Sequence, residues 1–272
     1  MEIKILCPAK VNLTLKVTGK RPDGFHNIES IMQTIDLYDY LTIKVEPSET
    51  FEILLSGNNT EIPYNEKNLV YKAAKLFFET ISFDNICKIS IYIEKNIPVA
   101  AGLAGGSTDA AGTLYGLNEL FDKPLDKKQL HELCATLGSD LNVCLEGGRL
   151  MTRGRGEIIE PLPFEEFNLS LIKPKNLGIS AKEAYTKFSD KKSTSFISKF
   201  GERDCFKNDL EWAIIDNYKE LQKIKELYPN SMMSGSGSTY FEIDGNFELL
   251  EGYEIYNNHK SVNFGVKKVP LD

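Results

Sequence analysis

Apolar and polar positions change period several times along the chain. In "VNLTLKV" Val11, Leu13, Leu15 and Val17 alternate with Asn12, Thr14 and Lys16, which predicts a half-buried strand with one polar face. "RPDG" follows as a turn, proline presetting φ and glycine accepting a positive one. Further strands are predicted at Ser30–Asp36, Tyr40–Val45 and Phe51–Leu55. "NEKNLVYKAAKLFFETI" switches to helical spacing, with Leu69, Ala73, Leu76, Phe77 and Thr80 near one stripe. "KISIYIE" returns to period two on Ile89, Ile91 and Ile93. Ala110, Leu114, Leu117 and Phe121 mark a second helix, and "LDKKQLHELCATLG" a third, stopped at Gly138. "RGRGEIIEPLP", Arg153 to Pro163, has the glycines and prolines of a crossing between halves. Beyond it, strands are predicted near Asn168–Lys173 and Thr239–Ile243, and helices near Ala181–Phe188 and Leu210–Leu227. Early strands and later helices make the class α+β, with two domains, 1–157 and 158–272.

Composition narrows the function. The formal net charge of -7 over 272 residues lacks the basic face a general nucleic-acid binder needs. Five cysteines, an odd number without a C-x-x-C pair, suggest reduced thiols rather than a disulfide framework or a zinc site. The N-terminus has no secretory pattern, and no apolar run reaches membrane-spanning length. A bacterial cytoplasmic protein, monomer or homodimer, is the expectation, with a local basic pocket for a small anion still open.

The chemistry starts at "IPVAAGLAGGSTDAAG", Ile97 to Gly112, a small-residue loop between a strand and a helix. It is not a Walker A loop, since no lysine stands before Ser107. It is not a dinucleotide fingerprint, since Gly102, Gly105 and Gly106 have the wrong spacing. Ser107 can cap the helix, and the unpaired N–H groups of the first turn then form an anion site. A capped turn binding nothing has about even odds on the glycines alone. Asp109 suits a helix start but would repel a phosphate unless it points away or meets a metal ion.

Lys10 and Asn12 lie two apart on the first strand and project from one face. Together they could hold a hydroxyl and neutralise charge on a transferring phosphoryl group, but the pattern alone favours a solvated edge strand with ordinary polar residues. Asp140, after Gly138-Ser139, reads as a helix cap. Phe25-His26 reads as partial core or surface, and Tyr185 as the apolar face of a helix.

The loop resembles the phosphate loop of the GHMP kinases, a superfamily that includes galactokinase, homoserine kinase and mevalonate kinase. Ala100 and Ala104 stand where that loop commonly has glycine. "PAKVNLTLKVTGKRPDGFHNIES", "LGSDLNVCLEGG" and "SGSGSTYF" resemble, in order, motifs of the branch that phosphorylates a cytidine-diphosphate-linked methylerythritol. The resemblance implies a two-domain GHMP kinase fold, with a ribosomal-protein-like α+β N-terminal domain and a C-terminal α/β sandwich. It implies ATP with Mg²⁺ as donor and the 2-hydroxyl of the substrate as acceptor. Asp140 becomes the base and Lys10 the cation beside the reacting hydroxyl, with Asn12 at the substrate. Phe25 stacks on cytosine, His26 bonds its edge, and Tyr185 is the second slice of the sandwich. ATP falls to Asn68, Lys95, Pro98, Ala100, Gly102, Leu103, Ala104, Gly105, Gly106, Ser107 and Thr108, with the metal ligands left open and the Ser107 hydroxyl able to meet Mg²⁺ or a phosphate oxygen. Gly235 to Gly237 close near the substrate phosphates. The alternatives are a mevalonate- or homoserine-type kinase, a nucleotide-binding regulator without catalysis, and an RNA-binding module. The first has no use for Phe25 and His26, intact Lys10, Asp140 and Ser107 argue against the second, and the acidic balance argues against the third.

Overall fold

A computed structural model describes residues 1–83, 86–190 and 207–271, so Cys205 lies outside the described residues. β1 (Glu2–Lys20) and β2 (His26–Pro47) form one long antiparallel hairpin around the "RPDG" turn. The three separate strands expected in this region are thus two long ones. Irregularities at Pro8/Ala9, Asn12/Thr14 and Val17/Gly19 shift the register without ending the ladder, as bulges do. β3 (Glu52–Gly57) lies at one edge, parallel to β4 (Cys87–Glu94), which pairs with β2. β5 (Arg149–Arg153) and β6 (Ile158–Pro161) make a hairpin against β2, so the Arg153–Pro163 stretch turns back before it leaves this sheet.

Among the described residues, four helices pack on this sheet: α1 (Leu69–Thr80), α2 (Gly105–Leu120), α3 (Lys127–Leu137) and α4 (Leu141–Glu146). α3 starts with a capping box between Asp126 and Gln129 and stops before Gly138. α1 buries Val70, Ala73, Ala74, Phe77 and Phe78, a stripe turned from the predicted one because Phe78, not Leu76 or Thr80, enters the core. α2 lies close to β1 and β2. A Cβ on Gly112 would come within 2.4 Å of Cys7 Sγ, so this glycine sets the helix–sheet distance.

The second half is built on β7 (Asn168–Pro174), followed by α5 (Ala181–Asp190), α6 (Asp209–Ile214) and α7 (Lys219–Leu227). The single helix expected over Leu210–Leu227 is broken by a 3₁₀ turn at Ile215–Asn217 and by extended Tyr218. The stretch Ile214-Ile215-Asp216-Asn217 joins β-branched residues to side chains that compete for backbone bonds, so the break is local chemistry. β8 (Met232–Met233), β9 (Tyr240–Ile243) and β10 (Tyr253–Lys260) complete a second sheet in the order β10-β7-β9-β8. β11 (Lys267–Val269) then returns to the first sheet beside Lys4–Leu6.

This layout overturns the expected solvent face of β1. Leu15, Val17, Ile28 and Met32 pack with Ile172, Ile179, Leu221 and Tyr240 of the second half. Lys10, Asn12 and Thr14 are also buried, so the strand is covered on both sides. No described helix is long and apolar enough to cross a membrane.

Candidate active site

Two cavities meet at the loop. The larger, about 930 Å³, is lined by the β1–β2 hairpin, Ser139-Asp140, α5 and Gly235-Ser236. The smaller, about 350 Å³, is lined by Asn68, Lys95 and the stretch from Pro98 to Ser107. Ala100, Gly102, Ala104 and Ser107 line both, so a group held at the loop faces each cavity.

Lys10 occupies the floor. Its ammonium donates to Asn12 Oδ1 at 2.6 Å and to the Gly102 carbonyl at 3.1 Å, and lies 3.4 Å from Asp140 Oδ2. Asn12 in turn donates to Ser30 Oγ, so its amide mainly orients Lys10. Asp140 stands at the cap position of α4 but caps nothing with its side chain, contrary to the simplest reading of its sequence context. Its carboxylate is half-open to the cleft and faces Lys10. An ammonium beside a carboxylate at a cleft floor can grip a hydroxyl and take its proton.

The loop differs from expectation in its cap. Ser107 is inside the helix, and the N-cap is Ala104, in left-handed conformation (φ 60°) with no side-chain cap bond. The N–H groups of Gly105, Gly106 and Ser107 therefore have no intrahelical carbonyl, which suits an anion better than a serine cap would. Ala100 (φ 50°) and Gly102 (φ 75°) are left-handed too. A Cβ on Gly102 would lie 2.1 Å from the Ser234 carbonyl, because the "SGSGS" loop rests directly on it. Ser234 Oγ donates to the Gly102 carbonyl, which ties the two loops together. Thr108 is buried and lines neither cavity.

Lys95 and Asn68 border the smaller cavity with much of their bonding already used. Lys95 is buried, and its ammonium is paired with Asp39 and with Asp109 at 2.9 Å. Burial opposes its charge, but the two carboxylates outweigh that and keep it protonated. Asp109 points at Lys95; burial pushes its carboxyl up to about 7, with Lys95 pulling it down and Asp39 adding to the rise. Asn68 caps α1 through Val70 N–H and donates to the Pro63 carbonyl.

At the far end of the large cavity the expected sandwich takes another form. His26 stacks on Tyr185, centroids 5.0 Å apart and planes 13° from parallel, while Phe25 is exposed. Ser189 donates to the Tyr185 carbonyl and so accepts from His26 Nε2–H. Burial, then the charge of Lys20, holds this imidazole below its ordinary value, and burial pushes the Tyr185 phenol up. The guanidinium of Arg155 lies 5.0 Å from the Phe25 centroid. Lys10, Lys20, Arg155 and Lys182 line this cavity against Asp23 and Asp140, a cationic cleft in an acidic protein. Arg155, Ser234 and Asp39 carry only faint sequence signals: a basic residue between glycines, a serine in a glycine loop and a carboxylate inside a strand. No group of three or more His, Cys, Asp or Glu among the described residues could hold a metal ion.

A two-part α+β fold with an open helix start facing Lys10 and Asp140 defines a GHMP kinase, and residues 68–148 match the family described as GHMP kinases N terminal domain. The solved homoserine kinase of Cytophaga hutchinsonii shares the fold at TM-score 0.73 and 16% identity, covering 98% of this chain and 97% of that one. A crystal structure of 4-(cytidine 5'-diphospho)-2C-methyl-D-erythritol kinase is similar at TM-score 0.72 and 28% identity, over 96% of this chain and all of that one. The 4-diphosphocytidyl-2-C-methyl-D-erythritol kinase of Clostridium tetani is 40% identical over 88% of this chain and 90% of its own. The chain belongs to the 4-diphosphocytidyl-2-C-methyl-D-erythritol kinase family.

Proposed function

We propose that the protein transfers the γ-phosphoryl group of ATP to the 2-hydroxyl of 4-diphosphocytidyl-2-C-methyl-D-erythritol. The observation that carries the mechanism is the Lys10–Asp140 pair, 3.4 Å apart, in the cavity that opens onto the uncapped start of α2. ATP phosphates would lie on the N–H groups of Gly105 to Ser107, with the nucleoside in the smaller cavity. The acceptor hydroxyl would bond to Asp140. As its oxygen forms the bond to phosphorus and the bond to ADP breaks, its proton passes to Asp140. An alcohol releases its proton late, so Asp140 acts first by orienting the hydroxyl. Lys10, fixed by Asn12 and Gly102, offsets the charge spread over the transferring group. Transfer is direct, with no phosphoenzyme.

Mg²⁺ would arrive with the nucleotide and neutralise phosphate charge. The Ser107 hydroxyl is the donor this chain offers, which fits a cation that keeps phosphate and water oxygens as its main ligands. The wall of Phe25, His26 and Tyr185 supports a nucleobase at the other end of the substrate, a feature a mevalonate or homoserine site does not need. The half 1–157 would carry the phosphate loop, Lys10 and Asp140, and the half 158–272 would complete the substrate site through Tyr185, with Gly235 to Gly237 closing over the phosphates. The buried thiols Cys7, Cys87, Cys134 and Cys144 suit the reducing cytoplasm. The test supplies ATP and Mg²⁺ with the cytidyl substrate, mevalonate or homoserine, and follows ADP release and phosphorus NMR. Turnover with the cytidyl substrate alone, giving a new phosphomonoester, is the expected result. Turnover with another acceptor overturns the reading of Phe25, His26 and Tyr185.

A further inference from the structure

We infer that Asp39 is a positioning residue for the phosphate loop, acting through Lys95 and through the backbone at Asn96 and Ile97. The inference rests on reading that loop as the ATP site. Asp39 lies on β2 and is fully buried. Its Oδ1 accepts from the N–H of Asn96 at 2.6 Å and of Ile97 at 2.8 Å, the residues that lead into the loop. Its Oδ2 accepts from the ammonium of Lys95, which also bonds Asp109 in α2. One carboxylate therefore holds the chain where it enters the loop and, through Lys95, where it leaves.

The arc between these anchors needs holding. Ala100, Gly102 and Ala104 are all left-handed, a conformation that alanine adopts only at a cost. Lys95 lies directly under the helix start, since a Cβ on Gly105 would sit 2.7 Å from its Nζ. Two carboxylates and one ammonium in a nearly dry site are a poor way to gain stability; an apolar trio would do as well or better. What the charged cluster adds is fixed direction. Short charge-assisted bonds set where the N–H groups of Gly105 to Ser107 point.

The experiment compares Asp39→Asn with wild type. The asparagine oxygen can still accept from Asn96 and Ile97, but its NH₂ faces the Lys95 ammonium, so the variant loosens the tie to α2 at nearly constant volume. The KM for ATP is expected to rise about tenfold, with the KM for the acceptor within about twofold of wild type. A general loss of structure would not single out ATP. A folded, active variant with wild-type KM for ATP overturns the inference. If the variant does not fold, amide exchange on the nucleotide-free wild type decides. Slow exchange at Asn96 and Ile97 is expected from a clasp already formed; fast exchange that slows only on adding ATP overturns it. A wild-type protein that neither binds ATP nor turns over fails the loop reading itself, and the unmodified control shows that before any variant is compared.

Discussion

Lys10 has almost no freedom: it is 2% exposed and its ammonium is bonded to Asn12 and Gly102 before any substrate arrives. Asp140 has more, which suits the role of meeting a hydroxyl proposed for it. Asp140→Asn keeps shape and one acceptor but cannot take the proton. It is expected to lower kcat by about 10²–10⁴-fold while the acceptor KM stays near wild type, as steady-state kinetics would show. Turnover like wild type would remove Asp140 from the mechanism. His26 offers a pH test. Its value is lowered in the fold, so the unfolded chain takes up a proton first as pH falls. The stability that the neutral imidazole contributes is present above its ordinary value and is lost as pH drops through the lowered one. Between about pH 7 and about pH 5, wild type should lose more thermal stability than His26→Gln. Equal losses would mean that the stack on Tyr185 tolerates the charge. The residue pattern alone favours an edge strand for Lys10 and a cap for Asp140; the resemblance singles them out, and the fold brings them to 3.4 Å of each other. The sequence could not reveal that Lys95 is spoken for, since its partner Asp39 is 56 residues away and no local pattern records that meeting.

At the scale of elements, the junction from loop to α2 concentrates backbone strain. Ala104 takes a left-handed φ at the N-cap, where a glycine carries no Cβ penalty. Ala104→Gly removes that strain but adds freedom to the unfolded chain, and the balance favours the variant by about 0.5–1 kcal/mol in urea unfolding. A destabilised Ala104→Gly would show that the surrounding clasp, rather than φ, sets the cost. Gly112→Ala goes the other way. Its Cβ would meet Cys7 Sγ at 2.4 Å and Leu41 Cδ1 at 3.2 Å, which forces α2 off the sheet and costs about 1–3 kcal/mol. Strands with clean alternation, such as β4 with buried Ile89, Ile91 and Ile93, were readable from period alone. β11 was not: Lys267-Lys268-Val269 has no apolar alternation, and it is a strand because the β1 edge beside it offers unpaired backbone groups. The break between α6 and α7 was missed for the opposite reason, since the apolar spacing continues across a turn that the backbone cannot keep helical.

For the molecule as a whole, the question is whether the division near Glu157 is also a division in folding. The packing argues against two independent units. Leu15, Val17, Ile28 and Met32 of the first hairpin share one core with Ile172, Ile179, Leu221 and Tyr240 of the second half. Ala9, Val11, Leu13 and Ile35 share another with Leu169, Leu171 and Phe241. β11, which follows the second half in the chain, pairs with β1 at the edge of the first sheet. Cutting at 157 would expose the face of β1 and β2 that carries Val11, Leu13 and Ile35, would remove the Gly235 loop from beside Lys10 and Asn12, and would leave the edge at Lys4–Leu6 unpaired. The same hairpin thus supplies the core that joins the halves and the floor of the candidate site. Calorimetry is expected to show one unfolding transition, with calorimetric and van't Hoff enthalpies agreeing to within about ten per cent. The segment 1–157 expressed alone should give no cooperative transition of its own. Two resolved transitions, or a stably folded 1–157, would mean that the shared core is weaker than its burial implies. Lys10 would then be held by the first half without help from the second.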